Sequence, residues 1–284
     1  MAPRNAPTAR QRRLATEIRR LREQAGLSTQ QAAALLGADR TMVSNIEAGR
    51  TGLSEERVRR IASLYRCPDQ ALVDALATMA GGRRNRHWWE EYRGKLPDGF
   101  LDVSEIEHYA TRIRTTQTVH LPGLLQTEDH ARALFELVVP KLSRLEIELR
   151  VAHRLGRQSV MTGNNPTPYS AVIHETALRM RFGARKTVTA QLKHLLEASE
   201  RENVTLTVIP FRAGGFPGAD QSVLYAEGAV PQLDTVQLDS EFGPVFIDSP
   251  TPLANYRALL DLVERHALPP AESRDFILSI VRDV

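Results

Sequence analysis

Residues 26–50 read GLSTQQAAALLGADRTMVSNIEAGR, and this stretch leaves the backbone few options. Gly26 stops one helix and Ser28, a good N-cap residue, starts the next. Ala32, Ala33, Leu35 and Leu36 are small or apolar, so this helix can pack closely on a neighbour. Gly37 supplies the flexible position that ends it. Asp39 caps a second helix over about 40–48, stopped by Gly49. Along that helix Val43 and Ile46 share the inward face, while Arg40, Thr41, Ser44 and Asn45 are left on the outer one.

Two short helices joined by a tight glycine-containing turn form the helix-turn-helix layout. The second helix is short enough, and polar enough on one side, to enter a DNA major groove. Its residue types suit that use: arginine bonds guanine bidentately, asparagine bonds adenine, and serine or threonine bonds a base edge or a phosphate. An αα-hairpin with a merely solvated polar face would share the outline but would not require the whole string of caps, glycines and apolar positions.

The segment resembles the Xre/Cro-type helix-turn-helix of phage repressors and many bacterial regulators. The resemblance is carried by Leu27-Ser28-Thr29-Gln30, Gly37, Val43-Ser44 and Ile46-Glu47-x-Gly49. It implies base contacts from Arg40, Thr41, Ser44 and Asn45. It implies phosphate contacts from Thr29, Gln30, Arg50 and the amides around Gly49, and an Arg22–Glu47 ion pair tying the first helix to the recognition helix. Arg22 is expected to help position the headpiece on phosphates as well. The run Gln31-Ala32-Ala33-Ala34 departs from the family in lacking an acidic residue, at the cost of a surface charge.

Length and charge fit a DNA reader joined to something else. The 284 residues suffice for two domains. Residues 1–86 hold sixteen arginines, no lysine and eight acids, a net +8. The remainder holds twenty-one basic and twenty-six acidic residues, a net −5. A basic module on an acidic remainder suits one part touching a polyanion and another that does not. No stretch is apolar over a membrane span's length, no signal core opens the chain, and the single cysteine, Cys67, has no internal partner. The expected location is cytoplasmic, on the nucleoid when DNA is bound.

In order, residues 1–8 read as a disordered arm containing Arg4, and 9–80 as a five-helix, lambda-repressor-like headpiece. Within it, Leu14, Ile18 and Leu21 share one face of the first helix, with Arg12, Arg13, Arg19 and Arg20 elsewhere. Ser54 caps a further helix, whose Val58, Ile61, Ala62 and Leu64 close the core. Residues 81–87 read as a linker of glycine and arginine. Trp88, Trp89 and Tyr92 follow and are read as an anchor of the next domain's core, residues 88–284. There the patterns predict helices from 104 to 161: 104–117, opened by a Ser104-x-x-Glu107 capping box, then one capped by Thr127, then 143–161. A strand at 169–173, helices at 176–182 and 187–202, and strands at 204–209, 222–226, 235–238 and 245–247 follow. Helices at 251–266 and 271–281 end the chain. The fold class is a mainly α headpiece plus an α+β domain, a helical half followed by a small mixed sheet with helices.

This second half resembles the C-terminal domain of the WhiJ-like group of actinobacterial regulators. The resemblance rests on Trp88-Trp89, the stretch 122–127 (PGLLQT), Arg157-Gln158, Asn203-Val204-Thr205-Leu206 and the glycine loop 214–218. It implies regulation, and partnership with a small acidic protein encoded nearby. The expectation is a sequence-specific transcriptional regulator that reads a double-stranded operator as a homodimer, its second domain supplying dimerisation and responding to a small molecule or protein. An antitoxin-like protein acting mainly through a small partner is the alternative. No enzyme is expected and no cofactor or metal. The 214–218 loop lacks a P-loop ending, the eight histidines form no ligand spacing, and no nucleophile elbow occurs.

Overall fold

The computed structural model describes residues 7–81, 87–240 and 243–284. Most of the expected arm, with Arg4, and most of the expected linker lie outside them. The chain divides into two compact units, one of residues 1–87 with Ala229–Leu233, the other of Trp88–Gly228 with Asp234–Val284.

Among the described residues the first unit is built from five helices: α1 Ala9–Gln24, α2 Thr29–Leu36, α3 Arg40–Glu47, α4 Glu55–Leu64 and α5 Gln70–Gly81. Each of the first four starts on a hydroxyl or carboxylate cap: Thr8, Ser28, Asp39 and Ser54 accept first-turn amides. These caps satisfy donors that a helix start leaves orphaned. The core joins Ile18 and Leu21 of α1, Ala32 and Ala33 of α2, Val43 and Ile46 of α3, Val58 and Ile61 of α4, and Leu72 and Leu76 of α5. Leu35 is exposed, so α2 packs through its alanines. Leu233 joins the same core, and Arg13 donates to the Gln232 carbonyl. Arg13 is thereby buried, unlike the exposed Arg19.

The second unit is a six-stranded mixed sheet with helices. Its strands are β1 Arg112–Gln117, β2 Tyr169–His174, β3 Val204–Ile209, β4 Val223–Glu227, β5 Thr235–Leu238 and β6 Val245–Ile247, in the order β3-β2-β1-β4-β5-β6. β1 runs parallel to β2 and antiparallel to β4 at the centre, with Ile113 opposite both Tyr169 and Ala226. Its helices are α6 Asp98–Tyr109, α7 Glu128–Phe135, α8 Arg144–Arg157, α9 Ser159–Thr162, α10 Glu175–Arg179, α11 Arg185–Ala198, α12 Pro250–His266 and α13 Pro270–Asp283. Side-chain alternation puts Tyr169, Ala171 and Ile173 on one face with Leu192 and Leu195 of α11 and Ile277 of α13. Val223, Tyr225 and Val236 face the other way, toward Leu253 and Leu260 of α12.

One sequence expectation needs correction here. Residues 104–117 are not one helix: α6 ends at Tyr109, and Arg112–Gln117 is the strand β1. Ser104 is not a cap. It lies within α6, its Oγ donating to the Phe100 carbonyl and meeting His153 Nε2 at 3.0 Å, while Glu107 binds Arg157. β1 disguises itself because buried Arg114 sits in it, held by Asp261 at 2.7 Å and Glu264 at 3.0 Å on α12. Trp89 is buried with Leu96 and Leu101, and Trp88 packs edge-on against it, so this pair anchors a core.

Candidate nucleic-acid interface

α3 is eight residues long, about 12 Å at 1.5 Å per residue, which matches the width of the major groove. Its start is set by Asp39, whose Oδ1 accepts the Met42 amide at 2.6 Å. Gly37 ends α2 at φ 61°, and the Ala38 amide returns to the Ala33 carbonyl at 3.0 Å, closing the turn between the two helices. α2 opens with a reciprocal pair: Ser28 N–H donates to Gln31 Oε1 at 2.8 Å, and Gln31 N–H to Ser28 Oγ at 3.2 Å. At the far end of α3 the Arg50 and Thr51 amides both donate to the Asn45 carbonyl, at 2.9 and 3.2 Å.

Val43 and Ile46 are buried and pin the inner face of α3. Arg40, Thr41 and Ser44 are exposed, Asn45 is half-buried, and all four share the outer face. Among the described residues none of these side chains is hydrogen-bonded or ion-paired within the protein. Beside them stand exposed Gln30 and half-buried Thr29 in the first turn of α2, and exposed Arg50 just past α3. Amides in the first turn of a helix have no intrahelical acceptor, so the start of α2 favours a phosphate.

Arg22 is placed differently from the other residues expected to touch phosphate. It is buried; its Nε and Nη2 donate to the two Glu47 oxygens at 2.6 and 3.0 Å, and its Nη1 to the Leu27 carbonyl at 2.8 Å. The bond to Glu47 raises its pKa further above the usual arginine range. With every guanidinium nitrogen engaged inside the protein, Arg22 braces α1 against α3 and is removed from the phosphate-facing set.

The arrangement is a short helix, fixed at both ends and along one side, presenting donors and acceptors that no side chain among the described residues engages. A helix-turn-helix domain matches residues 13–76. The fold and the site together define a regulator of the helix-turn-helix, DNA-binding class. Residues 100–279 match the domain of unknown function DUF5753, and since that match spans more than half of the chain, the protein belongs to this family. No curated protein and no solved structure matches the chain. Among the described residues no helix is long and apolar enough to cross a membrane.

The second unit holds groups to which the sequence reading assigned no role: His130, His153, Arg150 and Arg154. Arg150, Arg154 and Arg157 recur at helical spacing on one face of α8, the one signal in the sequence that marked them.

Proposed function

We propose that the protein is a sequence-specific transcriptional regulator of the Xre/Cro type, with α3 in the major groove of its operator. Arg40, Thr41, Ser44 and Asn45 read base edges; Thr29, Gln30 and Arg50 hold phosphates. The observation that carries this reading is the set of outward, unengaged polar side chains on a helix whose opposite face is locked by Val43, Ile46 and the Arg22–Glu47 pair. Selection on random duplexes with the full chain tests it. Enrichment of one motif, protected in a footprint, is the expected result, and recovery of unenriched sequence at low salt overturns it.

One such headpiece buries too little surface for tight specific binding, so the proposal includes a dimer with half-sites about one helical turn apart. Leu137, Val139 and Leu145, strongly exposed around the α7–α8 connection, support an assembly surface on the WhiJ-like second unit. Sedimentation of the full chain and of Val139→Glu checks it: the dimer dissociates in the variant, and an unchanged dimer places the contact elsewhere.

A further inference from the structure

We propose that Arg154 of α8, beside Arg157 and with His130, binds a small molecule carrying an oxyanion.

Charge on α8 is unbalanced. Arg150, Arg154 and Arg157 project from one face of α8. Fully buried Glu107 pairs with Arg157 alone, through bonds of 2.8 and 2.5 Å. Among the described residues no carboxylate reaches Arg154. Its Nη1 donates to Gln126 Oε1 at 2.6 Å, its guanidinium stacks on Phe135 at 4.7 Å, and its Nε is buried without an acceptor. Arg150 repeats the pattern, with a buried Nε that has no hydrogen-bond partner and its guanidinium over the faces of Phe100 and Phe135, while Glu146 acts on it through space. Asp239 and Glu107 act on Arg154 through space, but Asp239 is exposed and engaged by the Gln237 amide at 2.7 Å, and Glu107 is committed to Arg157. Burying a guanidinium without a counter-ion is costly, and an incoming anion removes that cost.

The second observation is independent. His130 is 2% exposed, yet neither of its ring nitrogens has a partner. Its ring meets Phe182 edge-on at 5.6 Å, and exposed His120 lies tilted on the same phenyl at 5.3 Å, at the rim. Burial, together with the nearby Arg154, holds His130 down to about 4, so it is neutral near pH 7 and offers an N–H donor beside a cation. Gln126 is held in place: its Nε2 donates to the Leu121 carbonyl and its own carbonyl accepts from Gln158 Nε2, each at 2.7 Å.

Gly123 packs against the same two side chains. A Cβ there would stand 3.6 Å from both terminal nitrogens of Arg157 and 3.8 Å from Arg154 Cζ, ordinary van der Waals contact, so a longer side chain at this position reaches both guanidiniums. A planar oxyanion matches a guanidinium fork bidentately, which makes carboxylate and phosphate the fitting chemistries. The inference is independent of the DNA reading, because its test involves no duplex.

The experiment is titration of the full chain with benzoate and, separately, with inorganic phosphate, against chloride at equal ionic strength. It is read by the histidine ring resonances and by melting temperature. The expected result is a saturable movement of the His130 signal and a rise in melting temperature with one or both oxyanions and not with chloride. The responding arm identifies the head group. Gly123→Asp, which places a carboxylate against the same guanidiniums, and Arg154→Met should each abolish the response. No movement of His130 with either anion, equal movement of all histidines, or an unchanged response in a folded variant overturns the proposal. If neither variant folds, the wild-type titration decides.

Discussion

Arg22 of α1 and Glu47, the last residue of α3, meet in a bidentate ion pair whose partners are both almost wholly shielded from water. Removing one partner strands the other as a buried charge, so Arg22→Ala or Glu47→Ala should each destabilise the first unit by about 3 kcal/mol. The double variant Arg22→Met/Glu47→Leu should recover most of that. Hydrogen exchange of the α3 amides in the three variants measures it, and a double variant as exposed as either single one would mean that the pair is not the bracing element.

Two substitutions on the outer surface should separate by their effect on sequence preference. Asn45→Ala should cost about 1–3 kcal/mol on the selected operator and relax preference at one base position. Arg50→Ala should weaken specific and random duplexes alike and reduce the slope of log affinity against log salt by about one. Binding isotherms on both duplexes at several salt concentrations check this. Equal losses on both duplexes in both variants would remove Asn45 from the reading set.

Gly49 holds φ at 70° in a buried position, and a Cβ there would lie 3.3 Å from the Gln11 carbonyl oxygen of α1. Gly37 has φ 61° with nothing within 4 Å of its added Cβ. Gly37→Ala should therefore cost about 1 kcal/mol, the left-handed conformation alone. Gly49→Ala should cost more, because α1 and α3 must also part. Thermal melts of the two variants give the order, and equal costs would show that the close approach relaxes freely.

Acid should weaken the second unit through its buried histidines. Burial first, and neighbouring arginines second, hold His153 at about 3 and His130 at about 4. Both take up a proton near pH 6.5 in the unfolded chain, so the unfolded state binds more protons below that pH. Stability is full above pH 6.5 and falls as pH drops toward the folded values, by roughly 1.4 kcal/mol per pH unit for each histidine. Melting temperatures between pH 7.5 and 5 (roughly the window where carboxylates stay ionised) check the slope. His130→Phe should flatten it by about half, and an unchanged slope would assign the acid sensitivity to other groups.

Local rules wrote the first unit into the chain. Ser28, Gly37, Asp39 and Gly49 each act through a hydrogen bond or a dihedral reached within a few residues, so the bounds of α2 and α3 and the outward face of α3 were legible from spacing alone. Most strands and helices of the second unit were legible for the same reason, through β-branched alternation and helical period. Three features were not. β1 carries a buried Arg114 balanced by acids on α12, and its hydrogen bonds run to residues 169–173 and 223–227, so no local pattern announces a central strand. The resemblance implies the Arg22–Glu47 pair, but only the fold shows that Glu47 and Leu27 together engage every guanidinium nitrogen of Arg22, leaving none for a phosphate. Gly123 and Gln126 meet Arg154 only when the loop after β1 packs on α8. Capping, turns and periodicity are short-range and belong to the sequence; the partner of a buried charge is chosen across the fold, and only the tertiary structure decides whether that partner exists.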